Sequence, residues 1–147
     1  MARTLRIEES ITIARPLGDV FDYLSNPANA TAWNSNVVDY NTQSGQPGEA
    51  GSTAAYVAKV AGLRLDGEEE VEVREANKHL RYRSTRSKIG YVRDIDFATD
   101  GTGTRVTLSQ ESEAGTGIFT FADSIVQKLY AHDVRGNLEK AKTILES

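Results

Sequence analysis

The chain is 147 residues long, carries a net charge of -4 and contains no cysteine. A domain of this size buries roughly 70% of the surface of its unfolded chain, enough for one core with room for a cavity. The acidic balance excludes a general nucleic-acid surface, which needs a concentrated basic field, and the missing cysteines exclude disulfides, thiol catalysis and Cys-ligated zinc.

The first strand is written in TLRIEESITIA, where Leu5, Ile7, Ile11 and Ile13 share one face at period 2 and Arg6, Glu8, Ser10 and Thr12 share the other. Pro16 suits the first position of a helix, where its missing N–H costs nothing. Leu17, Val20, Phe21 and Leu24 then form the apolar stripe of that short helix. Asn26-Pro27, a cap followed by proline, opens a second short helix that runs to about Trp33, the only tryptophan. A Gly/Pro/Ser-rich loop spans 42–52. From Asn36 to Glu113 the text is strand-like, in six segments. Turns at Gly62-Leu63, Ala76-Asn77, Lys88-Ile89 and DGTG (100–103) separate the last five. After Gly115-Thr116-Gly117, with Thr116 as cap, the remainder reads as one long helix. Its stripe is Ile118, Ala122, Ile125 and Leu129 in the first half and Val134, Leu138, Ala141 and Leu145 on nearly the opposite side in the second. Either a bend near Gly136 or burial of the two halves against different elements accounts for that change.

Hairpin-linked strands make an antiparallel sheet, and one long helix must cover its apolar face, so the fold class is α+β. No apolar run approaches the ~20 residues of a membrane span, and the opening MARTLRIEES lacks the apolar core of a secretion signal. The expectation is a single domain over 1–147, cytoplasmic, without membrane insertion and without a nucleic-acid partner.

The segments ITIARPLGDVFDYLSNPANATAWN, GTRVTLSQESE and NLEKAKTILE, with this element order, resemble the helix-grip fold of the START and birch-pollen-allergen superfamily, often called SRPBCC. Within it they resemble the polyketide cyclase/dehydrase-like branch. The resemblance covers nearly the whole chain. It implies a seven-stranded antiparallel sheet wrapped around the long C-terminal helix, with two short helices after the first strand. It also implies an apolar pocket between sheet and helix for a lipid, polyketide, hormone-like or other small hydrophobic molecule. In some members the same pocket does chemistry.

Two-residue turns fix which residues face each other. They set Tyr56 opposite Glu69, Glu69 opposite Ser84, Ser84 opposite Arg93 and Arg93 opposite Gln110. The next row on that face is Ala54, Val71, Tyr82, Ile95 and Leu108, followed by Val73, Leu80, Phe97 and Val106. These two rows are nearly all apolar and therefore inward, which makes the first row a polar band on the inner face. A turn at Asp66-Gly67 in place of Gly62-Leu63 keeps the facing and changes the partners. Outward, Glu70 meets Arg83 and Glu72 meets Arg81, opposite charges across a pair. A one-residue slip or a bulge reverses the facing beyond it.

A carboxylate and a guanidinium on an inner face need partners. Glu69 and Arg93 read as a structural ion pair at the cavity, as a polar handle for ligand oxygens, or as a general base with an enolate-stabilising cation, in which case Tyr56 shares the role. The ligand-binding set is Trp33, Tyr56, Glu69, Tyr82, Ser84, Arg93, Ile95, Leu108, Gln110, Ala122, Ile125 and Leu129, with Glu69 and Arg93 the catalytic candidates. Trp33 is either an apolar anchor or a residue at the cavity mouth that touches ligand. Small side chains at Ala54, Ala58, Gly62 and Ala122 leave volume for a pocket.

His79 and His132 are far apart in sequence, so no histidine metal site is expected, and His132-Asp133 point about 100° apart on a helix. The G-x-G runs lack the third glycine of a dinucleotide fingerprint, and no Walker sequence or serine elbow occurs. No metal or cofactor is expected. The functional alternatives are a carrier or sensor of a hydrophobic ligand, a cyclase, dehydratase or isomerase acting in the same cavity, and a protein-interaction module.

Overall fold

The computed structural model describes residues 4–60, 62–113 and 124–147. The elements in chain order are β1 (Thr4–Ile13), α1 (Leu17–Ser25), a 3-10 turn (Pro27–Asn29), α2 (Ala30–Trp33), β2 (Val37–Ser44), β3 (Thr53–Val60), β4 (Leu63–Glu75), β5 (His79–Arg86), β6 (Tyr91–Asp100), β7 (Gly103–Glu113) and α3 (Ser124–Glu146). The seven strands form one antiparallel sheet in the order β1-β7-β6-β5-β4-β3-β2. The chain leaves β1 at one edge, crosses through the short helices to β2 at the other, and returns by hairpins to β7 beside β1.

The local chemistry explains the crossing. Pro16 sits at the flank of α1, one residue before the helix, and Asn26 caps the next turn by accepting from the Ala28 N–H at 3.0 Å. The stripe of α1 packs onto the sheet, with Phe21 edge-to-face on Phe97 at 5.0 Å. Ile13, Val20, Phe21, Leu80, Ile95, Val106 and Leu138 are almost wholly buried. The far end of α3 docks on β1, where Lys142 Nζ donates to the Thr12 carbonyl at 2.8 Å and Arg15 Nη1 donates to the Leu145 carbonyl at 2.7 Å.

The pairings depart from the simple two-residue count in three places. β3 ends at Val60 and pairs it with Leu63 at the start of β4, with Gly62 at φ +80°, so Ala54 and not Tyr56 lies opposite Glu69, and Tyr56 faces Gly67. The β4–β5 turn holds three residues, with Asn77 at φ +61°, and a bulge between Val71 and Val73 absorbs the extra one. The bulge leaves Glu69 opposite Ser84 but places Arg74, not Val73, opposite the buried Leu80. The β5–β6 loop runs over 87–90, because Ile89 turns inward against Val60 and Leu65. Arg93 therefore faces Tyr82 and not Ser84. A shift of two residues preserves facing, so the polar band stays on the inner face, and Arg93 lies opposite Gln110 as the count requires. Outside, Glu70 faces Arg83, and Glu72 is ion-paired to Arg83 and lies 3.9 Å from Arg81.

From Tyr130 onward α3 buries a single face. Tyr130, Val134, Leu138, Ala141 and Leu145 form one continuous seam, whereas Leu129 is 49% exposed. At about 100° per residue, Tyr130 and not Leu129 stands one turn before Val134. Ile118, Ala122 and the proposed cap Thr116 lie outside the described residues, as does the side chain of Ile125.

Two glycines make opposite demands. A Cβ on Gly67 would lie 2.5 Å from the Tyr56 hydroxyl and 2.6 Å from the Arg86 carbonyl, whereas a Cβ on Gly136 meets nothing within 4 Å. Gly67→Ala should therefore lower stability by about 1–3 kcal/mol through overpacking, and Gly136→Ala should raise it by roughly 0.5–1 kcal/mol. Urea denaturation of both variants checks this, and equal effects would contradict it.

Candidate functional site

The inner polar band closes around Glu69. Its neighbours across the sheet, Ala54 and Ser84, are small, so longer side chains reach the carboxylate from farther away. Arg93 Nη2 donates to both carboxylate oxygens, at 3.1 and 3.0 Å. Tyr40, from the edge strand β2, donates its hydroxyl to Oε2 at 2.7 Å, and Tyr91, two residues before Arg93, donates to Oε1 at 2.5 Å. These four bonds occupy the roughly four lone-pair positions of a carboxylate. Glu69 is 2% exposed. Arg93 also lies over the Tyr82 ring at 4.6 Å and the Tyr91 ring at 5.7 Å, which stabilises the cation further.

Two cavities meet at this cluster, and both are lined by Asn34, Val37, Tyr40, Glu69 and Arg93. The first encloses about 50 Å³ and is mainly apolar, with Leu24, Trp33, Ala54, Val71, Tyr82 and Ile95 in its wall. The second encloses about 80 Å³ among Tyr56, Ala58, Leu65, Ile89, Gln110 and Tyr130. Each lobe is small beside typical ligand sites of a few hundred Å³, because tyrosines and Arg93 fill the space between sheet and helix. Tyr130 donates to Gln110 Oε1 at 3.1 Å, and Gln110 passes a hydrogen bond to Ser112 Oγ, also at 3.1 Å.

Around the junction Arg93, Tyr56, Tyr82 and Trp33 each keep a donor that makes no hydrogen bond to the described residues. Arg93 engages Glu69 through Nη2, while its Nε and Nη1 make no hydrogen bond there. The Tyr56 hydroxyl also has none, and the buried Trp33 indole N–H is unpartnered.

The mouth is built by neighbouring segments. The loop after β2 folds back so that Gly48, at φ +81°, abuts Ser25 and Pro27. Buried Asn137 on α3 fastens the turn before β2. Its Oδ1 accepts from the Ser35 N–H and Oγ, and its Nδ2 donates to Asn34 and Asn36 Oδ1, both at 2.9 Å.

Of the residues expected from sequence, Trp33, Tyr56, Glu69, Tyr82, Arg93, Ile95 and Gln110 line the cavities. Ser84 does not: its Oγ accepts from the Tyr91 N–H at 2.9 Å and so anchors the start of β6. Leu108 is packed in the core at 3% exposure, and Leu129 points outward. Sequence reasoning misses Tyr40, Tyr91 and Tyr130. Tyr91 shares the parity of Arg93, and Tyr130 lies four residues before Val134, so both carry a readable signal. Tyr40 reaches Glu69 past β3, which no pair count encodes. His132 is exposed, and among the described residues no His, Asp or Glu cluster is arranged to hold a metal.

Burial raises the Tyr40 and Tyr91 phenols above their ordinary range, and the Glu69 charge adds to it. Burial also pushes Tyr82 up to about 12. For Arg93, burial draws the guanidinium down, but Glu69 and the surrounding tyrosines outweigh it and leave it above its usual value. A phenol whose folded pKa is raised keeps its proton where the unfolded chain loses it. Its contribution to stability is complete below about pH 10 and declines as pH rises beyond. Denaturant midpoints should therefore fall steeply above about pH 10, and less steeply in Tyr91→Phe; identical slopes would refute the assignment. Arg93→Met, which leaves Glu69 buried and unpaired, should cost about 3–5 kcal/mol. Arg81→Met, on the outer face, should cost less than about 1 kcal/mol in the same measurement.

The model of a family described as polyketide cyclase/dehydrase and lipid transport matches residues 4–146. The structure is similar to that of TTHA0849 from Thermus thermophilus, with a TM-score of 0.84 and 22% identity over 97% of both chains. It is also similar to ginseng major latex-like protein 151 from Panax ginseng, with a TM-score of 0.77 and 16% identity over 98% of this chain and 99% of that one. The Zhui aromatase/cyclase from Streptomyces sp. R1128 has a TM-score of 0.75 and 13% identity over 98% and 94% of the chains. No curated protein sequence matches significantly. At these identities the neighbours speak for the fold, a helix-grip architecture, and among the described residues no helix is long and apolar enough to cross a membrane. By the match along nearly its whole length, the chain belongs to the polyketide cyclase/dehydrase and lipid transport family.

Proposed function

We propose that this protein binds a small, mainly apolar molecule in the two-lobed cavity and acts as its carrier or sensor in the cytoplasm. The observation that carries this reading is the pair of unpartnered donors on Arg93 at the point where two largely apolar lobes meet. Apolar walls supply affinity and a few fixed polar groups supply orientation, the usual division of labour in a small-molecule site. Membership in a family described by both cyclization and lipid transport supports an apolar occupant.

Binding is favoured over chemistry by the state of Glu69. A general base needs a lone pair within reach of the substrate proton. Here two phenols and the guanidinium occupy the carboxylate, so Glu69 serves to hold Arg93, Tyr40 and Tyr91 in place.

Acetophenone, among the smallest aromatic ketones, tests the proposal by NMR chemical-shift titration. The Trp33 indole N–H and amides near Tyr56 and Arg93 should shift together and saturate. Ala58→Leu, which fills the second lobe, should weaken binding about threefold or more, at a cost of roughly 0.7 kcal/mol or greater. Ala55→Leu, on the other face of β3, should leave it unchanged. Shifts confined to the outer face, or no saturable shift, would remove the basis for a ligand-binding cavity.

A further inference from the structure

We infer that the natural occupant is neutral and presents acceptor oxygens, of the ketone, quinone or ester kind, and is not a carboxylate or an amine. This inference rests on the ligand-binding reading above and narrows its chemistry.

The first ground is charge. Glu69 and Arg93 cancel one another within a buried cluster that both lobes share. An anionic ligand would bring a second negative charge beside Glu69 into a desolvated site whose one cation is already matched. A cationic ligand would meet Arg93 with the same excess. Either leaves an uncompensated charge away from water, which is costly.

The second ground is the inventory of unused polar groups. Nε and Nη1 of Arg93 and the Trp33 indole N–H can only donate, and the Tyr56 and Tyr82 hydroxyls, also without a partner among the described residues, donate as well as accept. The strongest acceptor in the cluster, the Glu69 carboxylate, has its positions filled by Tyr40, Tyr91 and Arg93. A ligand amine would find no free carboxylate oxygen to accept from it, whereas a carbonyl would complete donors that the protein leaves open.

Three probes of nearly one shape separate these features: acetophenone is neutral with an acceptor, benzoate is anionic, and ethylbenzene is neutral without an acceptor. In NMR titrations of the wild-type protein, acetophenone should bind about fivefold tighter than ethylbenzene and about tenfold tighter than benzoate. In Glu69→Gln the Arg93 charge is no longer matched, so benzoate should gain about tenfold relative to acetophenone. Tyr56→Phe removes one open donor without breaking any protein hydrogen bond among the described residues. It should weaken acetophenone about threefold and leave ethylbenzene unchanged, and it carries the test should Glu69→Gln fail to fold. Benzoate matching acetophenone in the wild type, an unmoved ratio in Glu69→Gln, or equal binding of acetophenone and ethylbenzene would each overturn the inference while the ligand-binding reading stands. Absence of saturable shifts with all three would overturn both.

Discussion

The Glu69–Arg93 pair is the constraint on which the interior depends. Neither charge is tolerable alone in that position, and each is held by strands two apart in the sheet, β4 and β6. A one-residue slip of either strand would send one partner to the outer face and strand the other inside. The ion pair therefore acts as a register lock as much as a contact. The bulge at Val71/Val73 and the three-residue turn at Asn77 lie on the far side of Glu69 from this lock, where one irregularity offsets the other.

The same pair determines the shape of the cavity. Because Glu69 has small neighbours, the cluster stands as a polar junction within an otherwise apolar interior and divides the space into two lobes. Tyr40 and Tyr91 extend the junction, so the interior is lined by phenols whose rings pack and whose hydroxyls are committed to Glu69. Trp33 closes the side formed by the short helices. It is buried against the core and lines the first lobe.

Much of this was legible from alternation alone. The side-chain period of two placed Glu69, Tyr82, Arg93 and Gln110 inward, because two of the turns shifted the pairing by two residues and the bulge at Val71/Val73 cancelled the single extra residue of the third. Partners were less legible. Whether Arg93 faces Ser84 or Tyr82 depends on Ile89 turning inward, a tertiary preference that turn composition does not carry. The Val73-to-Arg74 exchange follows from one extra residue in the turn at Asn77. On α3, a stripe that passes through Leu129 and leaves out Tyr130 misses the seam that Tyr130 continues. The bonds of Tyr40 join an edge strand to a strand two away, a relation set by side-chain length rather than by any periodicity.

The pairing of β1 with β7 has a consequence for how the molecule assembles. Ile7 lies beside Gln110, and the turn at Ser35 is fastened to Asn137, so contacts that complete the sheet and seal its mouth each span about a hundred residues of chain. Closing loops of that length carries an entropic cost that the local hairpins from β2 to β7 do not share, and folds rich in such distant contacts reach their native state slowly. During synthesis the meander can form early, but β1 and the short helices must wait for the last strand and helix to emerge. The cavity therefore comes into being only at the end of folding, when the two ends of the chain meet.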